Sequence, residues 1–176
     1  MNAPTPAGLL RLERVLRDYE SVLVAFSGGV DSAVVAVVAH QVLGSRAVAL
    51  TAVSETFPPE ELAIARRVCA NHGLRHELVE SHELESEGYA RNGGDRCYFC
   101  KSELFQLARD RAAQLGLALV ADGTLLDDLG DHRPGLQAAA ENAVRHPLVE
   151  AGLTKADVRE IARLLDVEVW DKPSFA

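Results

Sequence analysis

At 176 residues, 48% of them hydrophobic and 25% charged, with a mean hydropathy of +0.01, the chain has the composition of one globular domain, neither disordered nor membrane-spanning. A net charge of −8 argues against a broad nucleic-acid surface, because neutralising phosphates dominates such binding. Three cysteines do not make a secreted disulfide framework, the apolar run 33–39 falls well short of the about 20 residues of a bilayer span, and residues 1–6 lack the features of a secretory signal, so a cytoplasmic protein is expected.

Apolar residues at Leu9, Leu12, Val15 and Leu16 predict an amphipathic helix over 9–19, packed across a sheet edge. Val22, Leu23, Val24, Ala25 and Phe26 form a continuous apolar run, the pattern of a parallel strand buried on both faces. A helix over 32–43, stopped by Gly44, leads to a second strand over 47–53. Pro58 and Pro59 followed by Glu60 and Glu61 open a further helix, which ends near His72 with Gly73 in the C′ position. A strand is expected near 77–79. Residues 80–95 are polar and rich in glutamate and glycine, and read as a loop with some helical character, the most mobile part of the chain.

The alternation continues with a helix over 99–115 ended by Gly116, a buried strand over 117–121, a helix capped by Thr154 and running to Leu165, and a last strand over 167–170. Strands alternating with helices predict an α/β fold with an open, mainly parallel sheet and helices on both faces, the whole of 1–176 forming one domain. Ligands of such sheets bind beyond the carboxyl ends of the strands.

Between the first strand and its helix lies Ser27-Gly28-Gly29-Val30-Asp31-Ser32. Gly28 and Gly29 allow a ligand to approach the backbone, the N–H groups at the start of the helix converge on one small volume, and the hydroxyls of Ser27 and Ser32 can donate to phosphate oxygens. Asp31 would repel a bare phosphate, and suits a bound cation or the loop's own amides. Neither G-x-x-x-x-G-K-[ST] nor G-x-G-x-x-G is present. A tight turn with Asp31 or Ser32 as the helix N-cap is the plain alternative, but the full hexapeptide in this context favours phosphate binding.

The hexapeptide matches the S-G-G-x-D-S signature of the PP-loop superfamily, whose members include NAD, GMP and asparagine synthetases and tRNA-thiolating enzymes. The resemblance implies ATP and Mg²⁺ as cofactors, cleavage between the α- and β-phosphates, transfer of AMP to a substrate oxygen, and pyrophosphate held by Ser27, Gly28, Gly29, Asp31 and Ser32, with Asp31 near the metal. It places adenine against Ala25, Phe26, Thr51, Ala52 and Val53, and Gly123 beside the nucleotide.

Three further segments, 95–105, 121–135 and 147–173, resemble one branch, the ATP-dependent sacrificial sulfur transferases (LarE) of nickel-pincer cofactor biosynthesis. In that family a carboxylate of a pyridinium dicarboxylate mononucleotide is adenylated and converted to a thiocarboxylate, with a protein cysteine or a cluster-bound sulfide as sulfur source. The resemblance makes Lys101 and Arg133 cations for the anionic substrate or phosphates, and Asp128 and Asp131 Mg²⁺ or network partners. It makes Cys97 and Cys100 two ligands of an iron–sulfur cluster. Surface ion pairs are the alternative for these four charged residues. A third cysteine is expected just after Lys172 and Pro173 and is not among the 176 residues, and neither is the family's small C-terminal domain for oligomerisation and substrate binding. A homo-oligomer is the expectation for the full-length family.

Cys69, on a helix with Arg66 and Arg67, reads as a core thiol. Related PP-loop enzymes often carry G-T-N where this chain has Gly123-Thr124-Leu125, and a leucine cannot make an amide's hydrogen bonds. Two other readings compete with sulfur transfer: an ATP-dependent amide-forming synthetase of the NAD or GMP type, and a nucleotide-binding module that works only with a partner or is an inactive remnant.

Overall fold

The computed structural model describes residues 6–27, 29–81, 96–129 and 134–168. Its elements are α1 (Ala7–Tyr19), β1 (Val22–Ala25), α2 (Val30–Leu43), a 3-10 turn (Gly44–Arg46), β2 (Ala47–Val53), α3 (Pro59–His72), β3 (Arg75–Glu80), α4 (Arg96–Leu115), β4 (Leu119–Ala121), a second 3-10 turn (Leu126–Asp128), α5 (Pro134–Glu141), α6 (Pro147–Glu150) and α7 (Lys155–Leu164).

The four strands form one sheet in the order β3-β2-β1-β4, every pair parallel. Alternate residues of a strand point to opposite faces, and the two cores follow that rule. Val22, Val24, Ala47, Ala49 and Ala121 face a large apolar cluster filled by α1, α2, α3 and α7. Leu23, Ala25, Val48, Leu50 and Val120 face a second cluster closed by Phe105, Ala108 and Ala112 of α4 with Ala138 and Ala139 of α5. The sheet therefore carries helices on both faces, as its apolar runs foretold. Burial on both faces is why β1 tolerates no polar residue.

Residues 32–39 of α2 are buried all round its axis, with α1 and α7 packed upon it. The stripe Leu9, Leu12, Leu16 and Tyr19 turns α1 toward α2, α6 and α7 rather than toward a sheet edge, correcting the expected packing. Gly73 ends α3 at φ +69°, where a side chain would be strained, and its N–H donates to Ala70 O. Gly116 does the same after α4 at φ +72°.

Three expectations change. The strand foreseen over 117–121 is confined to Leu119–Ala121, since Leu117 N–H donates back to Ala112 O at 2.8 Å to close α4. Val167 and Glu168 are not in a strand: Val167 N–H donates to Ala162 O at 2.9 Å in the turn that ends α7, and residues 169–170 lie outside the described part. Helices α5 and α6 come where no element was foreseen. After α5 the chain runs beside β4, with Arg145 N–H donating to Val120 O (2.8 Å) and Asp122 N–H to Arg145 O (3.1 Å). The loop foreseen over 80–95 lies outside the described residues beyond Ser81. Among the described residues, no helix is long and apolar enough to cross a membrane.

Candidate active site

Because every strand is parallel, the carboxyl ends of β1, β2 and β4 lie at one edge, and the chain leaves β1 there for α2. Phe26 N–H donates to Leu50 O at 2.8 Å, continuing the ladder one residue past β1, and the backbone then turns. Gly29 is the N-cap of α2, and no side chain caps the helix. Asp31 and Ser32 lie inside the first turn, so the reading of either as an N-cap does not hold. Hydroxyl contacts within the loop are long: Ser27 N–H to Ser32 Oγ 3.3 Å, Ser27 Oγ to Ser32 Oγ 3.3 Å, Gly29 N–H to Ser27 Oγ 3.4 Å and Ser32 Oγ to Gly29 O 3.4 Å. Bonds of that length leave much of the donor capacity of the hydroxyls and of the helix N-terminus available to an anion.

Two side chains from distant parts of the sequence meet this turn. Lys155, the first residue of α7, donates from Nζ to Asp31 Oδ1 at 2.7 Å, and both side chains are about a quarter exposed (22% and 25%). Burial holds the Asp31 carboxyl above its ordinary range, the Lys155 ammonium pulls it down, and the Asp128 carboxylate pushes it up again. Gly123 presses on the same turn. A Cβ there would stand 2.7 Å from Ser32 N, 3.0 Å from Asp31 C and 3.1 Å from Asp31 Cβ, so only glycine fits against this backbone.

The segment around Gly123 is held by carboxylates on either side. Asp122 Oδ1 accepts from Thr124 N–H (3.0 Å) and from His146 Nδ1 (2.7 Å), while Asp122 Oδ2 accepts from the Thr124 hydroxyl (3.0 Å). Asp128 Oδ2 accepts from Leu125 N–H at 2.9 Å, which caps the 3-10 turn. Leu125 itself is buried in the larger core, so at this position an apolar anchor replaces the asparagine of related enzymes.

On the other flank, the Thr51 hydroxyl donates to Phe26 O at 2.8 Å and contacts His76 Nε2 at 2.7 Å. Its single proton goes to the carbonyl, so His76 must donate from Nε2. Burial and the nearby Arg66 lower the pKa of His76, which favours the neutral ring, and that ring meets Phe26 edge-on at 5.9 Å.

Of the residues singled out in the sequence, Ser27, Gly29, Asp31, Ser32 and Gly123 come together, and Asp128 lies near enough to act on Asp31. Ala25, Phe26 and Thr51 are buried beside them, with Ala52 and Val53 half-buried at the end of β2. Lys101 stands exposed near the start of α4, on the opposite face of the sheet from α2. Gly28, Asp131 and Arg133 lie outside the described residues, as do the side chains of Cys97 and Cys100, whose backbone begins α4.

Among the described residues no group of three or more His, Cys, Asp or Glu is placed to hold a metal ion. One or two carboxylates with phosphate oxygens are what Mg²⁺ commonly takes. Asp31 fits that donor set, because a divalent cation would offset the desolvation and the Asp128 repulsion that hold its carboxyl up, as the Lys155 ammonium does in part. Cys69 is unsuited to a cluster: it is buried in the α3 packing and its thiol is pushed up to about 12, against the thiolate a ligand needs.

Sequence reasoning did not find Lys155, Asp122, His146 or His76. One signal was present for Lys155. A lysine in the first turn of a helix opposes the helix dipole, which points to a partner elsewhere.

Residues 12–90 match the asparagine synthase family. The chain is 46% identical over 166 residues to an uncharacterized protein of Synechocystis, covering 94% of this chain and 62% of that protein. It is 36% identical over 162 residues to the pyridinium-3,5-bisthiocarboxylic acid mononucleotide synthase of Lactiplantibacillus plantarum, covering 92% of this chain and 59% of that enzyme. It thus spans about three fifths of the length of these two relatives. Its fold is similar to that of the NH3-dependent NAD synthetase of Campylobacter jejuni, with a TM-score of 0.74 at 19% identity over 97% of this chain and 77% of that one.

Proposed function

Because the chain belongs to the PP-loop ATP pyrophosphatase superfamily, we propose that it binds ATP at the turn between β1 and α2 and adenylates a substrate carboxylate, with release of pyrophosphate, as the first half of a sulfur transfer in cofactor biosynthesis. The observation that carries this reading is the uncapped start of α2, walled by Gly123 and faced by Lys155. The free N–H groups at such a start would receive a leaving pyrophosphate, and the helix dipole adds about half a positive charge. Lys155 brings a full one, shared in this structure with the Asp31 carboxylate.

In the proposed reaction a carboxylate oxygen attacks the α-phosphorus, the bond to the oxygen bridging the β-phosphate breaks, and pyrophosphate departs with the bonding electrons. Charge grows on the pyrophosphate as that bond breaks, so preorganised donors beneath it lower the barrier. The acyl adenylate is then open to a sulfur nucleophile, which displaces AMP. Mg²⁺, when bound, would neutralise phosphate charge, held on this chain by Asp31, on which Asp128 also acts, with Asp131 added by the family resemblance. Lys101 and Arg133 are assigned to the anionic substrate, and Cys97 and Cys100 to an iron–sulfur cluster. Similarity to the Lactiplantibacillus enzyme supports a pyridinium dicarboxylate mononucleotide as that substrate.

The test is product analysis. Incubation with ATP, Mg²⁺ and the dicarboxylate mononucleotide is expected to yield pyrophosphate and, once a thiol or sulfide is supplied, AMP. ADP and phosphate as products would overturn the reading. Ammonia-dependent AMP formation from a deamido dinucleotide would replace it with an amide-forming synthetase.

A further inference from the structure

The Asp122–His146 pair lies outside the phosphate-binding turn, yet both stretches of chain that press on that turn start from it. Asp122 closes β4 and is followed at once by Gly123, whose Cα stands against the backbone of Asp31 and Ser32. His146 begins the other stretch. Pro147 and Leu148 after it are buried, Leu153 N–H donates to Leu148 O at 2.9 Å, and Thr154 caps α7 by accepting from Asp157 N–H at 3.3 Å. The next residue is Lys155, on Asp31.

The two stretches are joined to each other by the bond from His146 Nδ1 to Asp122 Oδ1 at 2.7 Å. Both side chains are largely covered, at 23% and 14% exposure. Asp122 takes two further bonds from Thr124. Its carboxylate is therefore fixed from the β4 side, and the imidazole is the element that ties in the Lys155 side.

We propose that His146 is a positioning residue for the nucleotide: paired with Asp122, it sets Gly123 and Lys155 at their places against the phosphate-binding turn. This rests on the nucleotide-binding reading above. The charged groups that act on His146 are Asp122 and Glu150, both favouring its protonated form, while burial opposes it. Glu150 is itself shared, accepting from Arg145 at 2.5 Å and from the Tyr19 hydroxyl, with the Arg145 guanidinium 4.8 Å above the Tyr19 ring. On balance the His146 pKa is raised above its ordinary value. A raised histidine pKa means that the ion pair is complete below the ordinary value and is lost as pH rises through the raised one. Nucleotide affinity should follow the same course.

The experiment measures binding of ATP with Mg²⁺ by calorimetry from about pH 6 to about pH 9, on the wild type and on His146→Gln, His146→Ala and Asp122→Asn, with a thermal melt of each. Wild-type affinity is expected to fall across the alkaline half of that range. His146→Gln keeps a donor for Asp122, so it should bind ATP at neutral pH within a few-fold of wild type and with no such fall. His146→Ala should bind roughly tenfold more weakly, the size of a lost charge-assisted hydrogen bond. By reciprocal linkage, ATP should raise the midpoint of the His146 ring titration observed by NMR.

The inference is overturned if His146→Gln keeps the wild-type pH profile, or if folded His146→Ala binds as tightly as wild type. Should His146→Ala not fold, the His146→Gln profile and the NMR titration decide. A wild type that binds no ATP at any pH overturns the nucleotide reading itself, and the inference with it.

Discussion

The turn after β1 and the stretch from β4 to the start of α7 meet at one point and contribute by opposite means. In the first, Ser27, Gly29 and Ser32 bring backbone N–H groups and two short hydroxyls together, and the contacts are local. In the second, Gly123 and Lys155 arrive from far along the chain, Lys155 bonding a residue 124 positions earlier. The first region supplies the shape of an anion site; the second closes it and adds charge. A glycine turn alone is a common way to enter a helix. The wall of Gly123 and the ammonium of Lys155 are what make this one a candidate for ATP.

The sharpest way to break the comparison is to loosen the second region while leaving the first untouched. Leu125→Asn restores the amide of related enzymes, but Leu125 is buried at 3% exposure in the larger core. Lost packing and a buried amide without fixed partners should cost about 3–5 kcal/mol of stability in denaturant titrations. A stable, ATP-binding Leu125→Asn variant would mean that the second region is adaptable and the turn self-sufficient. Gly123→Ala comes next, at about 2–3 kcal/mol, because the added methyl meets backbone at 2.7 Å and cannot displace it cheaply. Its ATP affinity should fall roughly tenfold or more, since small displacements at a reacting site are costly. An unchanged affinity would remove Gly123 from the site.

The contrast also explains what the sequence made visible. Continuous apolar runs disclosed β1 and β2 because both faces of those strands are covered, and Gly73 and Gly116 marked helix ends because each needs a positive φ. The turn after β1 stood out for the same reason, as the phosphate binding proposed for it rests on the backbone freedom of neighbouring residues. Lys155, His146 and His76 were not, since a pairing across 124 or 24 or 25 positions leaves no trace in periodicity. Helix α6 is only four residues long, too short to show a repeat, and is held by the burial of Pro147 and Leu148. Of the strand expected at 167–170, Val167 instead sits in the turn that ends α7, where its apolar side chain is buried in the larger core, and residues 169–170 lie outside the described part.

Within the first region, Thr51→Val tests whether the turn needs support from β2. Valine keeps the shape, but leaves Phe26 O without the hydroxyl and His76 Nε2 without its acceptor. About 2 kcal/mol of stability should be lost, as is usual for a buried polar group stripped of its partner. Glutamine in place of His76 carries its amide N–H where Nε2 stands and can still donate to Thr51, so His76→Gln should fall between Thr51→Val and wild type in the same titration. Equal stability of Thr51→Val and wild type would show the Phe26 carbonyl to be satisfied otherwise.

The smallest effect is expected where the two regions touch through charge. The Asp31 carboxyl sits above its ordinary value of 3.8 because burial outweighs Lys155. For a carboxyl raised in this way the folded chain binds its proton more tightly than the unfolded one, so stability declines as pH climbs from the unfolded value to the folded one. Lys155→Ala removes the group that limits that rise. The decline should then continue to higher pH, leaving the variant about 1 kcal/mol less stable than wild type at neutral pH and equal to it below about pH 3.8. A variant weaker by the same amount at every pH would mean that Lys155 contributes through packing of its aliphatic stem. A variant whose deficit appears only as Asp31 ionises, and which ATP with Mg²⁺ partly restores, would place Lys155 and the metal in exchange for the same carboxylate.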